Sequence, residues 1–139
     1  MKQEIKVKWL QALRSGEYRQ GRYALRTSNN EFCCLGVLCD LYSREVGGEW
    51  AYEVYTSTLC SLFVAKHDEE GSDTSTGQLP GSVMEWAGLE EYNPSVNVAR
   101  PLLSSLSHEL KAELHTTLAE LNDEGESFSR IADIIQDQL

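Results

Sequence analysis

No stretch of this chain comes near the roughly 20 consecutive apolar residues that a membrane-spanning helix needs. Its start, Met1-Lys2-Gln3-Glu4-Ile5-Lys6, also lacks the apolar core of a secretory signal. The cytoplasm is therefore the expected location, and a membrane is not an expected partner. Cysteine is sparse: Cys33, Cys34, Cys39 and Cys60 lie in apolar stretches rather than polar loops, and no two form a Cys-x-x-Cys pair. That pattern predicts reduced, buried thiols and not a disulfide framework. Basic residues are few, twelve against twenty-two acidic, for a net charge of −10, and nucleic acid is not an expected partner. Neither an internal repeat nor a low-complexity tract interrupts the 139 residues, which suit one domain with one core. A composition 41% hydrophobic and 24% charged belongs to a globular chain, not a disordered one.

The charge is unevenly spread. Residues 1–26 carry Lys2, Lys6, Lys8, Arg14, Arg19, Arg22 and Arg26 against Glu4 and Glu17, a balance of +5, so the remainder stands at −15. A split of this kind fits an anion site at the basic end, an internal contact between basic and acidic segments, or both.

Periodicity predicts a small α+β domain of about four to five helices around a small antiparallel sheet. Ile5, Trp9, Ala12 and Leu13 have helical spacing over 3–15, and Gly16 is placed to stop that helix. A short hairpin is expected from Tyr23–Arg26 and Glu31–Cys33 around the turn residues Ser28-Asn29-Asn30. Residues 34–46 are expected to form a mostly apolar helix that Gly47-Gly48 ends. Strands are expected at 50–55, within 58–65 and at 96–98. Between them, 66–78 has no large apolar residue and is expected to be a mobile acidic surface loop. Leu79-Pro80 opens a short helix carrying Val83, Met84 and Trp86. Leu103, Leu106, Leu110, Leu114, Leu118 and Leu121 step by three and four, which predicts a helix over 107–121. Ser127 caps a last helix over 127–138, and the two form a C-terminal αα-hairpin.

Motifs for known chemistry are incomplete. His108 and His115, seven apart on one helix, would stand about 10 Å apart along its axis, too far for one zinc. In the acidic run Asp68-Glu69-Glu70-Gly71-Ser72-Asp73, glycine falls at the fourth position instead of the sixth that a calcium loop requires. Gly16-x4-Gly21 has the glycine spacing of a phosphate loop, but Arg22 and Tyr23 replace its lysine and hydroxyl residue. No metal and no cofactor are therefore expected. Cys34, near a helix start, could be a nucleophile only if a histidine reached it; otherwise it is a core thiol. The polar stretch from Arg14 to Arg22, with Tyr23 and Arg26 just after it, is the candidate ligand site. It sets Arg19, Arg22 and Arg26, with Gln20, near the aromatic rings of Trp9, Tyr18 and Tyr23, a combination that suits a phosphate joined to a flat base.

Several segments together carry a resemblance. They are Trp9-Leu10-x-Ala12-Leu13-Arg14-Ser15-Gly16-x-Tyr18-x-Gln20-Gly21-Arg22 and Cys33-Cys34-Leu35-Gly36-Val37-Leu38-Cys39-Asp40-Leu41, followed by Glu85-Trp86-Ala87-Gly88-Leu89 after Leu79-Pro80. The last is Leu121-Asn122-Asp123-x-Gly125-x-Ser127-Phe128 with Ile131-Ala132-Asp133-Ile134-Ile135. The chain resembles a group of small uncharacterised proteins of tailed bacteriophages and prophages, from which Arg100–Thr117 departs. The resemblance implies origin, and with it a host cytoplasm, but carries no catalytic residue. The expected function is a non-enzymatic binder of a small anionic, nucleotide-like ligand, with counter-defence by sequestering a host signal as the implied setting. Two rival readings stand beside it: an acidic protein-contact inhibitor that imitates nucleic acid, and a small enzyme with a cysteine nucleophile. A homo-oligomer is compatible with either binding mode.

Overall fold

The structure, a computed structural model, describes residues 1–55, 58–68, 71–101 and 111–139. Two helices organise it. In α1 (Gln3–Arg14), Ile5, Trp9, Leu10 and Leu13 fall on one buried face. It packs on α2 (Cys34–Glu45), in which every residue from Cys34 to Cys39 is buried. A first turn and a half covered on all sides needs close approaches, and Gly36 supplies one: a Cβ there would lie 1.8 Å from the Leu25 carbonyl oxygen.

After α2 the chain forms an antiparallel sheet of β1 (Glu49–Tyr55), β2 (Thr58–Asp68) and β3 (Gly71–Ser75), in that order. Next come α3 (Gly81–Ala87), the pair β4 (Ser95–Pro101) and β5 (Lys111–Thr117), and then α4 (Leu118–Asp123) and α5 (Phe128–Gln138). Among the described residues the fold is a single small α+β domain with five helices and two antiparallel sheets. No helix among them is long and apolar enough to cross a membrane. The core runs from α1 and α2 through Phe63 and Val83 to Leu118, Leu121 and the Ile131–Ile135 face of α5.

Three local expectations need correction. The helix predicted over 107–121 begins only at Leu118; residues 111–117 are a strand paired with β4, and 102–110, with Leu103, Leu106, His108 and Leu110, lie outside the described residues. Leucine steps of four are equally compatible with Leu114 on a strand, where it is 41% exposed, and Leu118 and Leu121 on a helix, where both are buried. The boundary is set by a capping box. The Thr117 hydroxyl accepts from Glu120 N, and the Glu120 carboxylate accepts in return from Thr117 N.

The surface loop expected at 66–78 is in part the end of β2 and all of β3, with Glu69 and Glu70 outside the described residues. An edge strand needs no large side chain when its neighbour pairs its backbone. Asp73 adds a local role, its carboxylate accepting from Gly81 N and Ser82 N at the start of α3. The hairpin expected at 23–33 reduces to two single bridges, Gln20 with Phe32 and Arg26 with Phe32. Tyr23 explains its absence: it takes a left-handed φ of 66°, which breaks an extended strand.

Part of the charge asymmetry is satisfied internally. Lys8 pairs with Glu45, and Arg14 with Asp133 at 2.8 Å. Exposed pairs of this kind contribute little, about 0–1 kcal/mol each, but they occupy two of the basic groups.

Candidate functional site

The polar segment 16–33 crosses the N-terminus of α2 and is pinned from both sides. Gly21 N donates to the Phe32 carbonyl at 2.8 Å, Phe32 N to the Arg19 carbonyl at 2.7 Å, and Leu25 N to the Thr76 carbonyl at 2.7 Å. The opposite wall is Asn122 of α4, which is fully buried. Its amide oxygen accepts from Gln20 Nε2 at 2.9 Å and from Cys34 N at 3.2 Å, and its Nδ2 donates to the Gly21 carbonyl at 2.7 Å. Gln20 Nε2 also donates to the Glu126 carbonyl. One buried amide thus joins the segment, the first turn of α2 and the α4–α5 hairpin.

Against this fixed backbone, Tyr18, Arg26, Asn30, Phe32, Asp40 and Arg44 surround a cavity of about 270 Å³, with Glu17 at its rim. Asp40 is its hub. It accepts from the Tyr18 hydroxyl at 2.5 Å and from Trp50 Nε1 at 3.2 Å, and Arg44 lies 3.3 Å from it. Burial, and then the neighbouring Asp40 carboxylate, raise the Tyr18 pKa well above that of a free phenol, so Tyr18 stays a donor. Arg26 is differently placed. Its Nε donates to Asn30 Oδ1 at 2.8 Å, and its guanidinium lies 5.4 Å from the centre of the Phe32 ring and 5.5 Å from that of Trp50. Among the described residues it has no carboxylate partner. A half-buried cation held over two aromatic faces keeps its full charge available to an anion.

The seven residues expected to form one site do not converge. Tyr18 and Arg26 line the cavity. Trp9 is fully buried and donates from Nε1 to the Cys34 carbonyl at 3.0 Å, so its ring faces the core. Gln20 is taken up by Asn122. Arg22 lies against Gly125, where a Cβ would come within 2.7 Å of its Nη2. Tyr23 is 78% exposed, its N–H donating to Asp123 Oδ1 at 2.8 Å. Arg19 is exposed and makes no side-chain hydrogen bond among the described residues. Sequence reasoning missed Asn30, Phe32, Asp40, Arg44 and Trp50. The available signal was the Asp40/Arg44 pair, four apart on a helix, a spacing that puts an acid and a base on one face.

The family model of a domain of unknown function, DUF8296, matches residues 1–139, the whole length. The chain belongs to that family. No curated protein and no solved structure matches it. No group of three or more His, Cys, Asp or Glu among the described residues could hold a metal ion.

The cysteines add nothing to the site. Cys33, Cys34 and Cys39 are free and buried, and the Cys34 thiol donates to the Leu118 carbonyl at 3.6 Å. Cys60 is outside the described side chains. Burial pushes the Cys33 thiol up to about 11 and those of Cys34 and Cys39 well above the ordinary value. A covered, protonated thiol is a poor nucleophile. The shift has a consequence for stability. A raised folded-state pKa favours folding while the thiol is neutral, so this contribution is intact below pH 9 and is lost as pH rises towards 11. The urea midpoint should fall across that window, and the fall should be smaller in Cys33→Ala.

Proposed function

We propose that this domain is a non-enzymatic binder of a small anionic ligand, no larger than a mononucleotide, held at the Arg26 cavity. The single observation that carries the reading is Arg26 itself, a guanidinium over Phe32 and Trp50 with no carboxylate partner among the described residues. Around it, Arg44 offers a second cation at the mouth, Asn30 an amide, and Tyr18 an aromatic edge. The volume of about 270 Å³ lies just under the usual range for ligand pockets, so a phosphate with part of its nucleoside fits better than a dinucleotide. If the chain has the phage or prophage origin that its resemblance implies, a host signal nucleotide is the natural ligand class, and sequestration needs no catalytic residue.

The test is calorimetry against inorganic phosphate and a panel of mono-, di- and cyclic nucleotides. Losing a charge-assisted contact costs about 1.5–3 kcal/mol, so Arg26→Ala should weaken the best ligand roughly ten- to a hundredfold. Arg44→Ala should weaken it less, because Arg44 already shares Asp40 and is exposed. Arg22→Ala, at the Gly125 side of the segment, should leave it unchanged. Equal loss from Arg22→Ala and Arg26→Ala would move the site away from the cavity, and no binding by any panel member would remove the proposal.

A further inference from the structure

The outer edge of β4 is open where it faces α5. Among the described residues β4 pairs with β5 on one side only, and antiparallel alternation turns the N–H and C=O of Ser95, Asn97 and Ala99 to the other. Side chains already occupy two of these positions. Ser95 N donates to Glu91 Oε1 at 3.2 Å. At Asn97 the Gln138 side-chain amide makes both bonds a neighbouring strand would make. Asn97 N donates to Gln138 Oε1 at 2.8 Å, and Gln138 Nε2 donates to the Asn97 carbonyl at 2.7 Å. Ala99 is exposed, and neither its N–H nor its C=O has a partner among the described residues.

Beside this edge runs a groove. Two cavities of about 370 and 700 Å³ share Val98, Ala99, Arg130 and Ile134, so together they form one trough between β4 and α5. Val98 and Ile134 are the apolar floor. Among the described side chains the lining carboxylates are Glu124, Glu126, Asp133 and Asp137, and the lining cation is Arg130. Asp133 shares its charge with Arg14 and Glu124 has a partner of its own, so Glu126 and Asp137 are the carboxylates that favour a cationic occupant.

We propose that the trough between β4 and α5 takes an extended, basic peptide segment of a partner protein, added as a strand to β4 at Ala99. Backbone pairing at Ala99 supplies two hydrogen bonds, and displacing the exposed Gln138 amide from Asn97 supplies two more. Alternate side chains of such a strand point to opposite faces, so apolar residues reach Val98 and Ile134 while the lysines or arginines between them meet the acidic rim. This site is separate from the Arg26 cavity and does not depend on it.

The probe is an eight-residue peptide of alternating lysine and valine, read by fluorescence anisotropy and by hydrogen exchange at the Ala99 amide. Binding should slow that exchange. N-methylation of alternate peptide bonds should weaken binding roughly tenfold or more, as loss of backbone bonds requires. Ala99→Pro should do the same while keeping the β4–β5 pairing, since the deleted N–H faces outward. Asp137→Lys should weaken the lysine peptide and strengthen a glutamate–valine peptide. The N-methylated arm keeps the test decisive even if Ala99→Pro fails to fold. Equal binding with and without N-methylation would overturn strand addition, as would no binding at millimolar peptide. Slow exchange at Ala99 without peptide, in a protein that sediments as a dimer, would overturn the partner assignment.

Discussion

Asn122→Ala should be the most damaging single truncation of a polar side chain in this protein, lowering stability by about 3–5 kcal/mol. The mutation removes the buried side chain's bonds to Gln20, Cys34 and Gly21, together with a longer one to Asp123. It leaves the buried Cys34 N and Gly21 carbonyl without this partner, each at a cost of about 1–3 kcal/mol, while Gln20 Nε2 keeps its bond to the Glu126 carbonyl. Against a typical total of roughly 5–15 kcal/mol, that is a large share. Urea denaturation should show a lower midpoint with an unchanged slope. Asn122→Asp separates hydrogen bonding from volume. It keeps the acceptor for Gln20 and Cys34 but sets a buried carboxylate against the Gly21 carbonyl. Its folded-state pKa should rise, so its stability should fall as pH climbs from acidic to neutral, a trend that Asn122→Ala should lack. A pH-independent deficit in Asn122→Asp would mean that the amide donor is dispensable.

Gly36→Ala should also be severe, and in the direction opposite to helix propensity. In an exposed helix interior, alanine is more favourable than glycine by about 1 kcal/mol. Here the new Cβ would fall 1.8 Å from the Leu25 carbonyl oxygen and 2.6 Å from its carbon, both backbone atoms that cannot rotate away. The Leu25 carbonyl is itself tied to Cys33 N at 3.2 Å, so the segment has to lift off α2 as a unit. A cost of about 3 kcal/mol or more is expected, at the upper end for overpacking. Because Arg26 follows Leu25 directly, the displacement should also reduce anion affinity. A Gly36→Ala variant as stable as the parent would show that segment 16–33 is not held against α2 as described.

Where side chains repeat at helical spacing and are buried, the elements were legible in the chain. α1 and α2 appeared within a residue of their observed ends, as did the final helix with its Ser127 cap, whose hydroxyl accepts from Arg130 N. β5 was not, because its one large apolar residue, Leu114, is exposed and its extended form comes from pairing with β4. β3 was hidden for the same reason, being an edge strand of small and polar residues. At the site, Arg26 and Tyr18 stood out as a guanidinium near an aromatic ring, but nearness in sequence misled at Trp9. Its place in the Ile5–Leu13 stripe already argued for the core. Gln20 and Gly21 looked functional because they are polar, and their task is to meet Asn122, a partner about a hundred positions away that no local pattern reveals.

That long-range amide has a consequence for how the protein is made. Segment 16–33 and the start of α2 leave the ribosome about a hundred residues before Asn122, roughly 5–20 s earlier at ordinary elongation rates. During that interval the Gly21 carbonyl and the Cys34 amide have no native partner, and the face of α1 that meets α5 is bare. The residues lining the Arg26 cavity all fall within 17–44, with Trp50 against Arg26, yet the backbone that shapes the cavity is fixed only when α4 arrives. The fold therefore closes from its late end, and a nascent chain should bind the anion proposed for this cavity only once Asn122 has emerged.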